Sequence, residues 1–346
     1  MVEKEQWAWQ TEELQTVTSH FQNTCNRFPE RTAQLFNPEL YGGDSDGRLT
    51  WSELRERVDS IGYGLMSLGL REQEKVAIMS PSSPYWTQSD MAISSCGAVS
   101  VTVYPTLSVN ETSYIINDSS CRFLFVSSEE LLSKMITMFD TMESLEKIIV
   151  MSLEYRGTNP RVCGLGELIT AGGIWAMEHH AEYHQRRQAV ALDDTYTILY
   201  TSGTTGRSKG VVLSHRNVST RMSGVDEYFK KNQMKLDETD VGLCFLPLSH
   251  IFERGSLQIM AIMNGSTIAY ADKPGTLLAD MQKYNPTWIN CVPRLYEKIY
   301  ITFQQQMSQS STRKAIFNWA FTVGTKALQY RRDTEGRYNM SPDFDL

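Results

Sequence analysis

The sequence contains no long uninterrupted hydrophobic run, no Cys-x-x-Cys pair and no surplus of positive charge. Each absence removes a class of protein. The longest uncharged stretches, such as Met91–Asn110, carry Pro105 and several Ser and Thr residues, so none reads as a membrane-spanning helix. The opening Met1–Leu14 is charged and lacks the apolar core of a signal peptide. Cys25, Cys96, Cys121, Cys163, Cys244 and Cys291 are scattered, which fits buried free thiols better than a disulfide framework or a zinc site. Lys and Arg number 33 against 40 Asp and Glu, a net charge of −7 that argues against a nucleic-acid partner. A small anion is not excluded, because it needs only a local ring of donors. The expected location is cytoplasmic, or peripheral to a membrane.

What is present is ordinary globular composition, 41% hydrophobic and 21% charged over 346 residues, long enough for more than one α/β unit. Thr50-x-x-Glu53 is a capping box, and Leu54, Val58, Ile61, Leu65 and Leu68 follow at helical spacing until Gly69 ends the run. Strand-like Lys75–Met79, Ala98–Tyr104, Arg122–Val126 and Lys147–Met151 alternate with helical patterns at Pro84–Cys96, Asn110–Asn117 and Glu129–Phe139. Such alternation predicts βαβ units and a mostly parallel sheet with helices on both faces. Tyr155–Asp193 breaks the rhythm and reads as an excursion with a short helix. Further strands are expected at Tyr196–Tyr200, Val241–Leu246, Thr267–Ala271 and Thr287–Val292, and a last helix at Thr312–Arg331.

The stretch Thr201-Ser-Gly-Thr-Thr-Gly-Arg-Ser-Lys209 holds two Gly, three Thr, two Ser and one Lys behind the apolar strand that ends at Tyr200. Glycines let the backbone approach a ligand, hydroxyls and N–H groups offer donors, and Lys209 supplies a point charge for a polyphosphate. This is an anion cradle at the C-terminal end of a strand, where α/β sheets place ligands. It is not a Walker A loop, since Ser208 stands where the second Gly would be and no Gly-Lys-Ser/Thr exists. No GxGxxG occurs either. Composition alone leaves open a flexible surface loop.

The segment Tyr200–Gly210 resembles the YTSGTTGxPKG signature of the adenylate-forming superfamily, which includes acyl-CoA synthetases, luciferases and peptide-synthetase adenylation domains. One position departs: Ser208 replaces the usual proline, which should loosen the loop slightly. The likeness extends to Arg27–Ala33, Leu49–Leu54, Lys75–Trp86 and Gly97–Val126, the last with YPTL at Tyr104–Leu107 and YIINDS at Tyr114–Ser119. Leu246–Glu253 (LPLSHIFE) and Val292–Ile299 (VPRLYEKI) are similar to long-chain fatty acid–CoA ligase versions of later motifs.

The resemblance implies two stacked α/β sheet-plus-helix subdomains, part of the large N-terminal domain of an adenylate-forming enzyme. It divides the chain into an N-terminal segment 1–70 packing with the second subdomain, a first subdomain 71–215 with the phosphate loop 200–211, a second subdomain 216–335, and a polar tail 336–346. It implies ATP, Mg²⁺ and coenzyme A, with a fatty acid as the carboxylate. Thr201, Ser202, Gly203, Thr204, Thr205, Gly206 and Lys209 would hold the ATP phosphates, and Thr204 would help hold Mg²⁺. His250 would line the junction of acyl and nucleotide pockets; without the resemblance it reads as a structural histidine or helix-start residue. Arg294 and Glu297 read as a local ion pair or solvated face. His180 and His184 are four apart, as in some zinc sites, but no third ligand is near and a solvated helix is the simpler reading.

Members of the family continue well past the last shared motif. The YGxTE segment with its metal-binding Glu, the ribose-gripping Asp, the hinge and the C-terminal domain with its catalytic Lys have no counterpart here. The expected parent activity is therefore long-chain fatty acid–CoA ligation, with this chain a fragment that is inactive alone and completed by the missing region of the same enzyme. The alternatives are another acid–CoA ligase or adenylating enzyme, and a non-catalytic nucleotide-binding or scaffolding fragment. The resemblance also allows peripheral membrane association.

Overall fold

A computed structural model of the chain describes residues 14–41, 46–201, 207–232, 234–273, 275–308 and 310–330. In chain order, α1 (Val17–Arg27), β1 (Thr32–Leu35), α2 (Pro38–Tyr41), β2 (Arg48–Thr50) and α3 (Trp51–Ser67) precede a run of alternating elements. That run is β3 (Lys75–Met79), α4 (Pro84–Ser95), β4 (Val99–Val103), α5 (Val109–Ser119), β5 (Cys121–Val126), α6 (Glu129–Ile136) and β6 (Lys147–Val150). Next come β7 (Val162–Gly164), α7 (Leu165–Ala189), β8 (Thr195–Thr201), β9 (Lys209–Ser214) and α8 (His215–Lys231). The remainder is β10 (Val241–Cys244), α9 (Ile251–Glu253), a π-helical segment Arg254–Ile259, α10 (Met260–Asn264), β11 (Thr267–Tyr270), α11 (Leu277–Tyr284), α12 (Pro293–Ser308) and α13 (Ser311–Tyr330).

The chain divides into two compact units, Met1–Val225 with Leu236–Ile289, and Asp226–Lys235 with Asn290–Leu346. The first holds both sheets. Seven strands run in the order β7-β6-β5-β3-β4-β8-β9, all parallel except β9, which returns antiparallel to β8. The order steps one way from β3 to β4 and the other way from β5 to β6. Right-handed crossovers therefore put α4 and α6 on opposite faces of the sheet. Four strands form the second sheet, β10-β11-β1-β2, in which β1 and β2 from early in the chain join β10 and β11 from late in it. In the second unit α12 and α13 pack on each other, and Tyr296, Ile316, Trp319 and Phe321 are exposed.

Local signals explain the early elements. Glu53 accepts from the Thr50 N–H at 2.7 Å while Thr50 Oγ1 accepts from the Glu53 N–H at 3.2 Å, closing the expected capping box. These bonds hold the Glu53 carboxyl below its usual range. Leu54, Val58, Ile61 and Leu65 are all buried, Leu68 is the C-cap, and Gly69 turns the chain at φ +80°. Ser108 and Glu111 form a second capping box at the start of α5. The core of the larger sheet gathers Ala77, Val101, Leu124, Ile148 and Ile198 from its strands with Ile116 and Met135 from α5 and α6. Cys25, Cys96, Cys121 and Cys244 are buried and free, and burial pushes the first three thiols up to about 12, far from nucleophilic chemistry.

Two expectations are corrected. Tyr155–Asp193 is no excursion with a short helix. It adds β7 to the sheet edge and then a 25-residue helix, α7, that packs along α3. Its pattern was hidden because both helices meet through glycine: a Cβ on Gly172 would lie 2.4 Å from the Gly64 nitrogen, and one on Gly62 2.5 Å from the Tyr183 ring. Close approach here is made by missing side chains rather than by an apolar stripe. Nor do residues 287–292 form a strand. Thr287 and Trp288 bond to Val241 at 2.9 and 3.3 Å, but the ladder stops at one bridge to Gly242. The pairing ends after Trp288, short of Pro293, where α12 begins.

The histidine cluster lies on α7. Asp59 accepts from the Tyr183 hydroxyl and the Arg187 guanidinium, each at 2.9 Å, and Arg187 also donates to His184 Nδ1 at 2.8 Å. A guanidinium has no acceptor, so the ring nitrogen facing it is unprotonated. Burial and the Arg187 charge hold His184 below its usual value. The group ties α7 to α3. Among the described residues no three His, Cys, Asp or Glu side chains converge as a metal site.

The helix contact yields a paired prediction. Gly172→Ala should destabilise the protein by about 1–3 kcal/mol by overpacking against the α3 backbone. Gly173→Ala, with nothing within 4 Å of the added methyl, should stabilise it by up to about 1 kcal/mol through helix propensity. Urea unfolding of both variants checks the pair, and opposite signs are expected.

Candidate active site

The expected phosphate loop hangs between β8 and β9. Thr201 ends β8 and pairs with Lys209, the first residue of β9, and both are exposed. Ser202, Gly203, Thr204, Thr205 and Gly206 lie outside the described residues, so the structure places only the two ends of the proposed cradle. Those ends sit at the C-terminal edge of a mostly parallel sheet, beside the end of β4. Gly210 has a local reason of its own. A Cβ there would come within 2.9 Å of Ile198 and 3.1 Å of the Tyr200 ring. Its presence is explained by strand packing without invoking a ligand.

The base of the loop is held from α5. The Tyr200 hydroxyl donates to Asp118 Oδ2 at 2.5 Å, and the Tyr114 hydroxyl lies 3.2 Å from the Ser208 carbonyl oxygen. The Arg207 guanidinium sits over the Tyr114 ring at 5.3 Å. Burial first and the Asp118 carboxylate second push the Tyr200 phenol well above its usual value, so it remains a donor.

His250 lies on a segment anchored to the same sheet edge. Thr102, in β4, donates to the Ser249 carbonyl at 3.0 Å, and Ser249 in turn donates to the Val103 carbonyl at 3.4 Å. Ser82, just past β3, donates to Leu246 O at 2.7 Å and accepts from Leu248 N at 2.8 Å. Buried Glu253 accepts from the Phe245 and Leu246 N–H groups at 3.2 and 3.3 Å. His250 itself is exposed and caps α9, its Nδ1 accepting from Phe252 N at 3.1 Å. That bond puts the proton of the neutral ring on Nε2, which can donate to a ligand. Arg294 and Glu297 are exposed on α12.

Beneath this edge is a buried polar group that sequence reasoning missed. Arg254 and Asp90 are both fully buried and paired through two guanidinium nitrogens, one contact measuring 3.0 Å. Arg254 also donates to Thr197 Oγ1 and Ser100 Oγ, each at 2.6 Å, while Asp90 accepts from the Tyr196 hydroxyl at 2.9 Å and Gln258 at 2.8 Å. The Tyr196 ring stacks on the guanidinium at 4.4 Å and Trp86 lies 5.3 Å away. One ion pair thus links α4, β4, β8 and the π-helical segment. The signal was available: Asp90 is the sole charged residue between Lys75 and Glu111.

A cavity of about 390 Å³ opens at the C-terminal ends of β3, β5 and β6, lined by Tyr41, Ser80, Tyr85, Ser127, Ser152 and Glu154 among others. It holds two carboxylates, Glu39 and Glu154, and no Lys, Arg or His. Its charge disfavours a polyphosphate. Lys209 and Arg207, at the β8–β9 ends, supply on this edge the cations that the cavity lacks.

The model of the AMP-binding enzyme family matches residues 21–330. The chain belongs to that family. It is 29% identical over 340 residues to a chloroplastic long-chain-fatty-acid–[acyl-carrier-protein] ligase of Arabidopsis thaliana, covering 95% of this chain and 45% of the relative. It is 27% identical over 334 residues to long chain acyl-CoA synthetase 4 of the same plant, covering 94% and 48%. The solved structure of a long-chain-fatty-acid-CoA ligase from Archaeoglobus fulgidus superposes with a TM-score of 0.65 at 20% identity, over 79% of this chain and 50% of that one. The chain spans about half the length of these curated relatives.

In this chain of the AMP-binding enzyme family, the buried pair sets a test of stability. Asp90→Asn leaves the Arg254 charge uncompensated and should cost about 3–5 kcal/mol. Adding Arg254→Met to it should recover part of that loss, because the interior then holds no unpaired charge. A double-mutant cycle by chemical denaturation checks this, the expected sign being a double variant more stable than Asp90→Asn alone.

Proposed function

We propose that the protein carrying this chain activates a fatty acid with ATP and passes the acyl group to coenzyme A. In the first step a carboxylate oxygen attacks the α-phosphorus of ATP, the bond to the bridging oxygen breaks, and pyrophosphate leaves. In the second, the coenzyme A thiolate attacks the acyl carbon and AMP departs. The single observation that carries this reading is the family match across 21–330, together with relatives whose names specify long-chain acids. An acyl-carrier-protein acceptor is the second reading, favoured by the name of one plant relative.

The first step asks mainly for positioning and charge neutralisation, and the described residues suit that task. Thr201 and Lys209 stand at the two ends of the loop, and we assign the phosphates to Thr201, Ser202, Gly203, Thr204, Thr205, Gly206 and Lys209. His250, with its proton on Nε2, is assigned to the wall between acyl and nucleotide pockets. Magnesium is a different matter. Thr204 lies outside the described residues, and among the described residues no cluster of His, Cys, Asp or Glu could hold the ion. They do not make a magnesium site by themselves, and no step here runs through one. The first subdomain is read as 71–215, the second as 216–335 with the segment 1–70 packed on it. For location, among the described residues no helix is long and apolar enough to cross a membrane, and peripheral attachment is part of the proposal.

The test is fatty-acid-dependent ATP–pyrophosphate exchange in the protein carrying this chain. Lys209→Ala should lower exchange roughly 10- to 100-fold, the worth of one charge-assisted hydrogen bond. Thioester formation from preformed acyl-adenylate should fall much less. Equal loss in both half-reactions would contradict a phosphate role for Lys209.

A further inference from the structure

One side chain touches both ends of the loop. The Tyr114 ring lies edge-on to the Tyr200 ring, in the strand before the loop, with centroids 6.4 Å apart and planes at 85°. On the far side of the loop it carries the Arg207 guanidinium over its face and reaches the Ser208 carbonyl with its hydroxyl. That phenol has one proton and two acceptors in reach, Ser208 O at 3.2 Å and Asp118 Oδ1 at 3.5 Å. Tyr200 engages Asp118 through Oδ2 at 2.5 Å, and of the two acceptors within reach of the Tyr114 proton the Ser208 carbonyl is the nearer. Fixing that carbonyl fixes the peptide plane between Ser208 and Lys209, because the six atoms of a peptide move together. Ser208 is also where the signature resembled by this loop has proline.

We propose that Tyr114 is a positioning residue that clamps the base of the 202–206 loop through Ser208 and Arg207, supplying by contact the restraint that proline would supply covalently. It acts through Lys209 and does not touch the reacting atoms. Asp118 supports it by holding Tyr200 against the same ring. A proline at 208 would limit both its own φ and the conformation of Arg207. Tyr114 restrains the peptide that follows residue 208 and a proline would restrain the torsions before it, so either stiffens the entry to β9. The consequence for ATP rests on the phosphate reading above; the clamp does not.

Hydrogen exchange read by mass spectrometry on Tyr114→Phe, which keeps the ring and deletes only the hydroxyl, tests the clamp directly. Exchange across residues 201–212 should quicken roughly 2- to 10-fold, the effect of one neutral hydrogen bond. Peptides from β3 and β4 should not change. Ser208→Pro added to Tyr114→Phe should bring exchange at 209–212 back toward the parent level. Unchanged exchange in Tyr114→Phe, or quickening spread evenly over the sheet, overturns the clamp, as does a double variant no slower than the single one. In ATP–pyrophosphate exchange, Tyr114→Phe should raise KM for ATP several-fold more than it lowers kcat, and Ser208→Pro should reverse it. A clamp seen by hydrogen exchange without any effect on KM would leave the clamp standing and count against the phosphate reading alone.

Discussion

The interior of this chain is organised around one ion pair taken fully out of water. Placing Asp90 and Arg254 there is costly unless their polar atoms find further partners, and Ser100, Thr197, Tyr196 and Gln258 supply them. Those partners come from β4, β8 and the π-helical segment, so the charge requirement sets how these elements sit against α4. The same strands end at the edge where the loop and the His250 segment emerge. Arg254 and Gln258, four residues apart in the π-helical stretch Arg254–Ile259, both donate to the Asp90 carboxylate.

From that constraint the candidate site follows by short steps. β4 and β8 are neighbours and parallel, so the segment tied to Val103 and the loop leaving Thr201 share an edge. Hydroxyl side chains do most of the tying: Ser82, Thr102 and Ser249 each bond a carbonyl in or beside the 245–253 segment. None of these contacts needs a bound ligand. The scaffold thus brings Thr201, Lys209 and the 245–253 segment to one edge of the sheet.

Much of the fold was legible because its signals are local. Lys75–Met79 reads as a strand from composition and is one, and Thr50 with Glu53 marks the start of α3 from four residues. What stayed hidden depends on partners distant in sequence. α7 buries itself through Gly172 against Gly64, and absent side chains leave no periodic stripe to read. Asp90 shows itself as a lone charge in an apolar run, yet nothing local names Arg254 as its partner. At the site, Lys209 and Thr201 were legible as flanks of a Gly/Ser/Thr loop, whereas Tyr114 was not, since its contact with Ser208 spans 94 residues. His250 was legible only through resemblance, and its capping bond with Phe252 shows why a structural reading also fits it.

On the reading proposed above, this family member meets ATP at the β8–β9 loop. Hydrogen exchange of the chain with and without ATP addresses it most directly, because it reports location and needs no turnover. Slowed exchange should concentrate in residues 201–209, with a smaller effect in 245–253. Protection centred instead on Ser80, Ser127 and Ser152, or no protection at 201–209 under saturating ATP, would contradict it.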